Sequence, residues 1–202
     1  MNLENGPSQD DANTFAINCP VPISNYPEII LAHGGGGALT RGLFEKIFLP
    51  AFANPHLSEG HDGALLDVGN SRIAFTTDSY VVRPPFFPGG DIGGLAVCGT
   101  INDLAMYGAP PRYLRLGLSI EEGFPTADLQ RVTESIRRET KRAGASIVTG
   151  DTKVVDKGSG DGIYINTAGI GFVEPTVHVS PRNVRVGDAI LVSGDIGRHG
   201  IA

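Results

Sequence analysis

Four aspartates stand where a carboxylate asks for a chemical explanation. Asp62 precedes the first strand of a predicted hairpin, and Asp78 ends the second in TTDS. Asp103 lies inside an apolar helix in TINDLAMYGA, and Asp151 ends a later strand in VTGDTK. Asp103 is the most telling, because a charge among apolar residues is costly unless a cation or donors satisfy it. Carboxylates converging from separate elements suit a hard divalent cation. Magnesium takes one or two of them and completes its shell with substrate phosphates and water. Each acid also has a plainer reading: an aspartate at a strand end turns or caps the chain, and Asn102-Asp103 can bond neighbouring backbone. Taken with a glycine run and a lysine, the set favours the ligand reading.

The glycine run is Gly34, Gly35, Gly36 and Gly37, after a predicted strand and before a helix, where backbone N–H groups can wrap phosphates. No Lys-Ser/Thr follows, so it is not a Walker A loop, and four glycines read equally as a hinge. His33 reads equally as site or scaffold. Lys153 lies two residues after Asp151, so on a strand both point to one face. There it pairs with a carboxylate or meets a phosphate. Arg137-Arg138 and Lys141-Arg142 read as a solvated helix face.

These residues need a frame to hold them. Residues 1–28 are polar, without periodicity, and read as a flexible leader. Ile29–Ala32 reads as a strand, and Thr40–Ala53 has helical spacing through Leu43, Ile47, Phe48 and Ala51. Gly63–Val68 and Arg72–Thr77 form a hairpin about Gly69-Asn70-Ser71, and Val81–Gly90 is loop. Ile92–Tyr107 is apolar almost all round, which predicts a buried helix. Tyr113–Ile120 is a strand. Thr126–Ala143 is an amphipathic helix with Thr126 as N-cap and Gly144 beyond its end. Ser146–Val155, Ile163–Phe172 and Ala189–Ser193 complete the strands. The order predicts a mixed α/β sandwich with helices on one sheet face, without the repeating βα units of a Rossmann domain.

The 202 residues carry a formal net charge of -6, with no long basic run. No nucleic acid partner is expected, since backbone binding needs a clustered basic face. No stretch approaches the ~20 apolar residues of a membrane span, and the first residues lack the pattern of a signal peptide. Cys19 and Cys98 make neither a disulfide framework nor a metal quartet. Cys98 reads as a small buried hydrophobe, and a reducing cytoplasm is expected.

The motifs AHGGGG, FTTDSYVV with PPFFPGGDIG, LAVCGTINDLAMYGA, SIEEGFP, and IVTGDTKVV with INTAGIG, in order from Ile29 onward, resemble hydrogenase maturation factors of the HypE type. These are carbamoyl dehydratases within the aminoimidazole ribonucleotide synthetase-like superfamily. The resemblance implies a homodimer whose sheets join into a barrel, with ATP near the seam. It implies ATP-dependent dehydration of an enzyme-bound S-carboxamide to thiocyanate, supplying cyanide to [NiFe]-hydrogenase iron. A carbamoyltransferase maturation factor and a cyanide-accepting scaffold complex are the implied partners. On this chain Asp62, Asp78, Asp103 and Asp151 match the family's magnesium- and nucleotide-binding acids. Gly34–Gly37, Asn102 and Thr152 match nucleotide contacts, and Lys153 matches the catalytic lysine. The domains expected are 29–180 for ATP binding and dimerisation and 181–202 for the start of a truncated second domain. Family members are longer and end in a carrier cysteine, so an incomplete form is expected; Gly94 also stands where some relatives carry Lys. The alternatives are a non-catalytic dimerisation or docking module and a related ATP-dependent small-molecule kinase or synthetase.

Overall fold

The computed structural model describes residues 26–194. Cys19, most of the expected leader and the glycine turn after Gly194 lie outside these residues. The described chain divides into two compact units between Ala53 and Asn54.

The first unit is helical. The strand expected at Ile29–Ala32 is absent: Leu31–Gly34 is a 3₁₀ turn. A local bond wins over pairing, because His33 N donates to Ile30 O at 2.9 Å and Ile30 N donates to His33 Nδ1 at 3.0 Å. The expected helix is present as α1 (Ala38–Leu43), a π turn (Phe44–Phe48) and α2 (Leu49–Phe52). Leu49 N reaches back to Phe44 O. The widened turn sits directly before Pro50, which has no N–H to continue the ordinary ladder.

The second unit is a five-stranded mixed sheet with two long helices. Its strands are β1 (Ala64–Val68), β2 (Ser71–Tyr80), β5 (Pro111–Glu121), β6 (Ser146–Val155) and β7 (Ile163–Val173). Their order is β1-β2-β7-β5-β6. Only β5 and β6 run parallel; the other pairs are antiparallel. Phe86–Phe87 (β3) and Gly90–Asp91 (β4) form a small hairpin inside the expected loop. No strand forms at 189–193.

α3 (Ile92–Ala105) packs on β2 and β7, and α4 (Thr126–Arg142) packs beside it. The alternation along β7 explains the packing. Ile163, Ile165, Thr167 and Val173 are buried toward α3, whereas Tyr164, Asn166, Ile170 and Phe172 point to the far face. The core joins Ile92, Val97, Leu114, Val132, Ile136, Ile163 and Ile165. Each such side chain contributes about 1.5–3 kcal/mol on burial. Buried Thr100 and Thr167 share a hydrogen bond, and Thr167 Oγ1 also donates to Ala96 O. Helix and sheet are thus tied by polar bonds as well as by packing.

Three expectations about the helices change. α3 is not buried all round: Leu95, Cys98 and Asn102 are exposed, because sheet and α4 cover only part of it. Cys98 is accordingly an exposed thiol. Thr126 is the first helical residue of α4, not its cap; Pro125, in extended conformation, holds that place without a side-chain bond.

Candidate functional site

β2 runs three residues further than its apolar pattern suggests, so Asp78 lies within the strand. Thr76, Asp78 and Tyr80 alternate onto the face that carries α3. Asp103, near the end of α3, faces the same region. Thr76 Oγ1 lies 2.9 Å from Asp103 Oδ2 and 3.0 Å from Asp62 O. One buried hydroxyl thus ties the helix acid to the loop before β1. That loop is held again by Tyr107, whose hydroxyl donates to Gly63 O while its ring stacks on His61 at 3.9 Å. Ser79 N donates to Asp78 Oδ1 at 2.7 Å.

The electrostatics follow from this placement. Burial raises the Asp103 carboxyl above the usual carboxylate range, Thr76 opposes the shift, and the charges of Asp78 and Asp62 add to it. Burial likewise raises the Tyr107 phenol, with Asp62, Glu59 and Asp103 adding to the effect. The charges of Asp78 and Asp62, from two other elements, therefore repel a charge on Asp103. A divalent cation relieves that repulsion. Among the described residues no three His, Cys, Asp or Glu side chains form a ready-made metal cage. Magnesium needs none, since phosphates and water fill most of its shell. Asp62, Asp78 and Asp103 fit that requirement.

Asp151 and Lys153 lie elsewhere. The rows of the sheet run Asp78–Thr167–Leu116–Gly150 and Ser79–Asn166–Gly117–Asp151 across β2, β7, β5 and β6. Asp151 therefore shares a face with Ser79, opposite to Asp78. Lys153 is on that far face beside Ser119, whereas Thr152 faces the α3 side. β6 is an edge strand, and Asp151, Thr152 and Lys153 are all exposed. Among the described residues Lys153 makes no ion pair. Asn102 is exposed on the outer side of α3.

The glycine run belongs to the first unit. Gly36 has φ +74, a conformation that costs other residues roughly 1–2 kcal/mol, and its N–H donates to Thr40 Oγ1 at 2.9 Å. A Cβ at Gly34, Gly36 or Gly37 would meet nothing within 4 Å. Packing therefore does not demand glycine there, and the backbone faces open space. His33 is buried, with Nδ1 engaged by Ile30 N and its ring edge-on to Tyr26.

Thr76, Tyr107, Asn166 and Arg115 join these surroundings without a motif to mark them. Thr76 had a signal, being two residues from Asp78 and so on its face of a strand. Asn166 and Arg115 had none until the strand order was known. Arg137 pairs with Glu134 on the solvated side of α4, and Arg138 with Glu139, in line with a solvated basic face.

Residues 60–173 match the family described as AIR synthase related protein, N-terminal domain. The chain is 50% identical over 171 residues to carbamoyl dehydratase HypE of Azotobacter vinelandii, covering 85% of this chain and 50% of that one. It resembles the chain in a crystal structure of a HypE-HypF complex, with TM-score 0.74 and 51% identity over 82% of this chain and 52% of that one. A crystal structure of HypE in complex with ATP matches with TM-score 0.51 and 48% identity over 73% and 44% of the two chains. The chain thus spans about half the length of the curated relatives it matches.

Proposed function

Because this chain belongs to the AIR synthase related protein family, we propose that it provides the nucleotide- and magnesium-handling part of a carbamoyl dehydratase of the HypE type. The reaction is the ATP-dependent dehydration of an S-carboxamide on a carrier cysteine. The carboxamide oxygen takes the terminal phosphoryl group of ATP, releasing ADP and one N–H proton; loss of the oxygen as hydrogen phosphate, with the second N–H proton, leaves a thiocyanate. Its cyanide is destined for hydrogenase iron. The observation that carries this reading is the link of Asp103 to the Asp62 loop through Thr76, with the charge of Asp78 acting on the same carboxyl, in a chain half identical to relatives of that name.

Asp62, Asp78 and Asp103 would hold magnesium, which would supply positive charge against the phosphates. Thr76 holds Asp103 and the Asp62 loop in place. Gly34–Gly37, Asn102 and Thr152 contact the nucleotide. Lys153 steadies the transferred group, and Asp151 supplies a further carboxylate. Asp78 and Asp151 lie on opposite faces of one sheet, so we assign the complete site to a homodimer, in which each copy contributes one face. The exposed β6 edge, with Ile147, Val148 and Val154 uncovered, supports that assignment. Helices then lie on one face of each sheet. A carbamoyltransferase maturation factor is the proposed donor partner, in keeping with the HypE-HypF complex among the similar structures, and a scaffold complex the acceptor. No helix among the described residues is long and apolar enough to cross a membrane; the proposed location is the cytoplasm.

Calorimetric titration with MgATP tests the reading. Wild type binds, and Asp103→Ala binds at least about tenfold more weakly, the scale of a lost charged contact. Unchanged binding in the variant removes the metal assignment. A dimer that binds no nucleotide would favour a docking module, the reading that the exposed β6 edge alone would suggest.

A further inference from the structure

Arg115 occupies an unusual position on the far face. It lies two residues before Gly117 on β5, and its guanidinium rests directly over that glycine. A Cβ at Gly117 would stand 2.6 Å from Nη1 and 2.9 Å from Cζ. Gly117 is therefore the seat on which the guanidinium lies, and an added Cβ would displace it.

The group is also clamped from the side. Arg115 Nη1 donates to Asn166 Oδ1. Asn166 Nδ2 in turn donates to Asp78 O and Ser79 Oγ, each at 2.9 Å. The carboxamide of Asn166 is thereby oriented with its donors toward β2 and its oxygen toward Arg115. Asn166 and Asp151 flank Gly117 on the two neighbouring strands, and Lys153 follows on the same face.

A guanidinium has five N–H donors in a fixed fork. Among the described residues only the one bond to Asn166 uses them, and no carboxylate lies within 4.0 Å. Arg115 is half-buried. A charge that is partly desolvated, immobilised and without a counter-anion is a poor stabilising element, because ordering and desolvation are not offset by an ion pair. It is a good receptor for an oxyanion, since the planar fork matches phosphate geometry and is already oriented.

We infer that Arg115 receives the phosphate chain of the nucleotide on the far face of the sheet, beside Asp151 and Lys153. The inference rests on the ATP reading and extends it: it adds a phosphate contact that no motif marked. Asn166 and Gly117 act as positioning residues for that contact.

The test is titration of the whole chain with MgATP and, separately, with tripolyphosphate, which carries the anion without the nucleoside. Arg115→Ala is expected to weaken both about tenfold or more, the range for a charged hydrogen-bonded contact. Arg115→Lys recovers part of the loss, because the charge returns without the fork. Gly117→Ala keeps the charge but displaces the guanidinium, and weakens both ligands as well. Thermal melts by circular dichroism verify folding; if Arg115→Ala fails to fold, the other two variants decide. Equal affinities in wild type and folded variants overturn the inference and leave the ATP reading standing. A wild type that binds tripolyphosphate through Arg115 but ignores MgATP keeps the anion receptor and overturns the ATP reading. Binding of neither ligand overturns both.

Discussion

Asp78 and Asp151 face opposite sides of the same sheet. Asp78 shares its row with Thr167 on the face that carries α3, whereas Asp151 shares its row with Asn166 on the far face. Strand periodicity makes this unavoidable once the register is set, since a shift of one residue exchanges the faces. Acids so divided cannot meet within one copy of the sheet.

Complementation between copies follows. Asp103→Ala and Asp151→Ala homodimers are each expected to bind MgATP weakly. Mixed after partial denaturation, they should recover wild-type affinity in a fraction of sites, because one heterodimer site then keeps all its acids. Calorimetric stoichiometry reads this directly. No recovery on mixing would confine the site to a single chain.

Association itself should depend on β6. A charge at a long exposed edge strand opposes pairing with another strand, and Val148 and Val154 are 58% and 64% exposed there. Val154→Lys is expected to shift the chain from dimer to monomer in sedimentation velocity. Its melting temperature should change little in dilute solution, since little apolar area is buried at that position. A dimer that survives Val154→Lys and Val148→Lys together would place the interface elsewhere.

Asp103 makes stability depend on pH in a predictable sense. Its carboxyl is raised in the folded state, chiefly by burial, so the fold retains this proton when the unfolded chain has lost it. Stability from this group is therefore present at low pH and is lost as pH rises from the ordinary carboxylate range through the raised value. Asp103→Asn should abolish that slope and melt higher than wild type at neutral pH without metal. Added magnesium should raise the wild-type melt and leave the variant nearly unchanged. Identical pH profiles for the two proteins would contradict the assignment.

Thr76 should matter more than its size suggests. Thr76→Val keeps the shape but removes the single O–H that Asp103 Oδ2 and Asp62 O share. A cost of about 1–3 kcal/mol in stability is expected, with a roughly tenfold loss of MgATP affinity. Thr76→Ser should restore most of the binding. Equal binding by the valine and serine variants would show that the hydroxyl does not position the acids.

Much of the fold was legible in residue patterns. The hairpin about Gly69, the amphipathic α4 and the alternating β7 all follow from local periodicity, and each forms near its expected bounds. The failures were also local in origin. Ile29–Ala32 has strand composition but closes on itself through His33, and no amount of apolar content supplies a pairing partner. β2 extends through Asp78 because β7 pairs with it as far as Tyr80, which its polar sequence does not announce. Cys98 reads as buried because its neighbours are apolar, yet it is exposed at the open margin between α3 and α4, near Glu139 and Arg142.

The amino-acid sequence alone determined which groups are available: four separated acids, a glycine run, a lysine two residues from an acid, and elements to carry them. Those properties are set by residue type and short-range spacing. Tertiary structure decided which groups meet. It tied Asp103 to the Asp62 loop through Thr76, turned Asp151 to the other face, and seated Arg115 over Gly117 under the clamp of Asn166. Those relations depend on strand order and register between residues far apart in the chain, such as Arg72 and Val173, and hydrophobic burial of one sheet face chooses them. Local spacing carries no record of that choice.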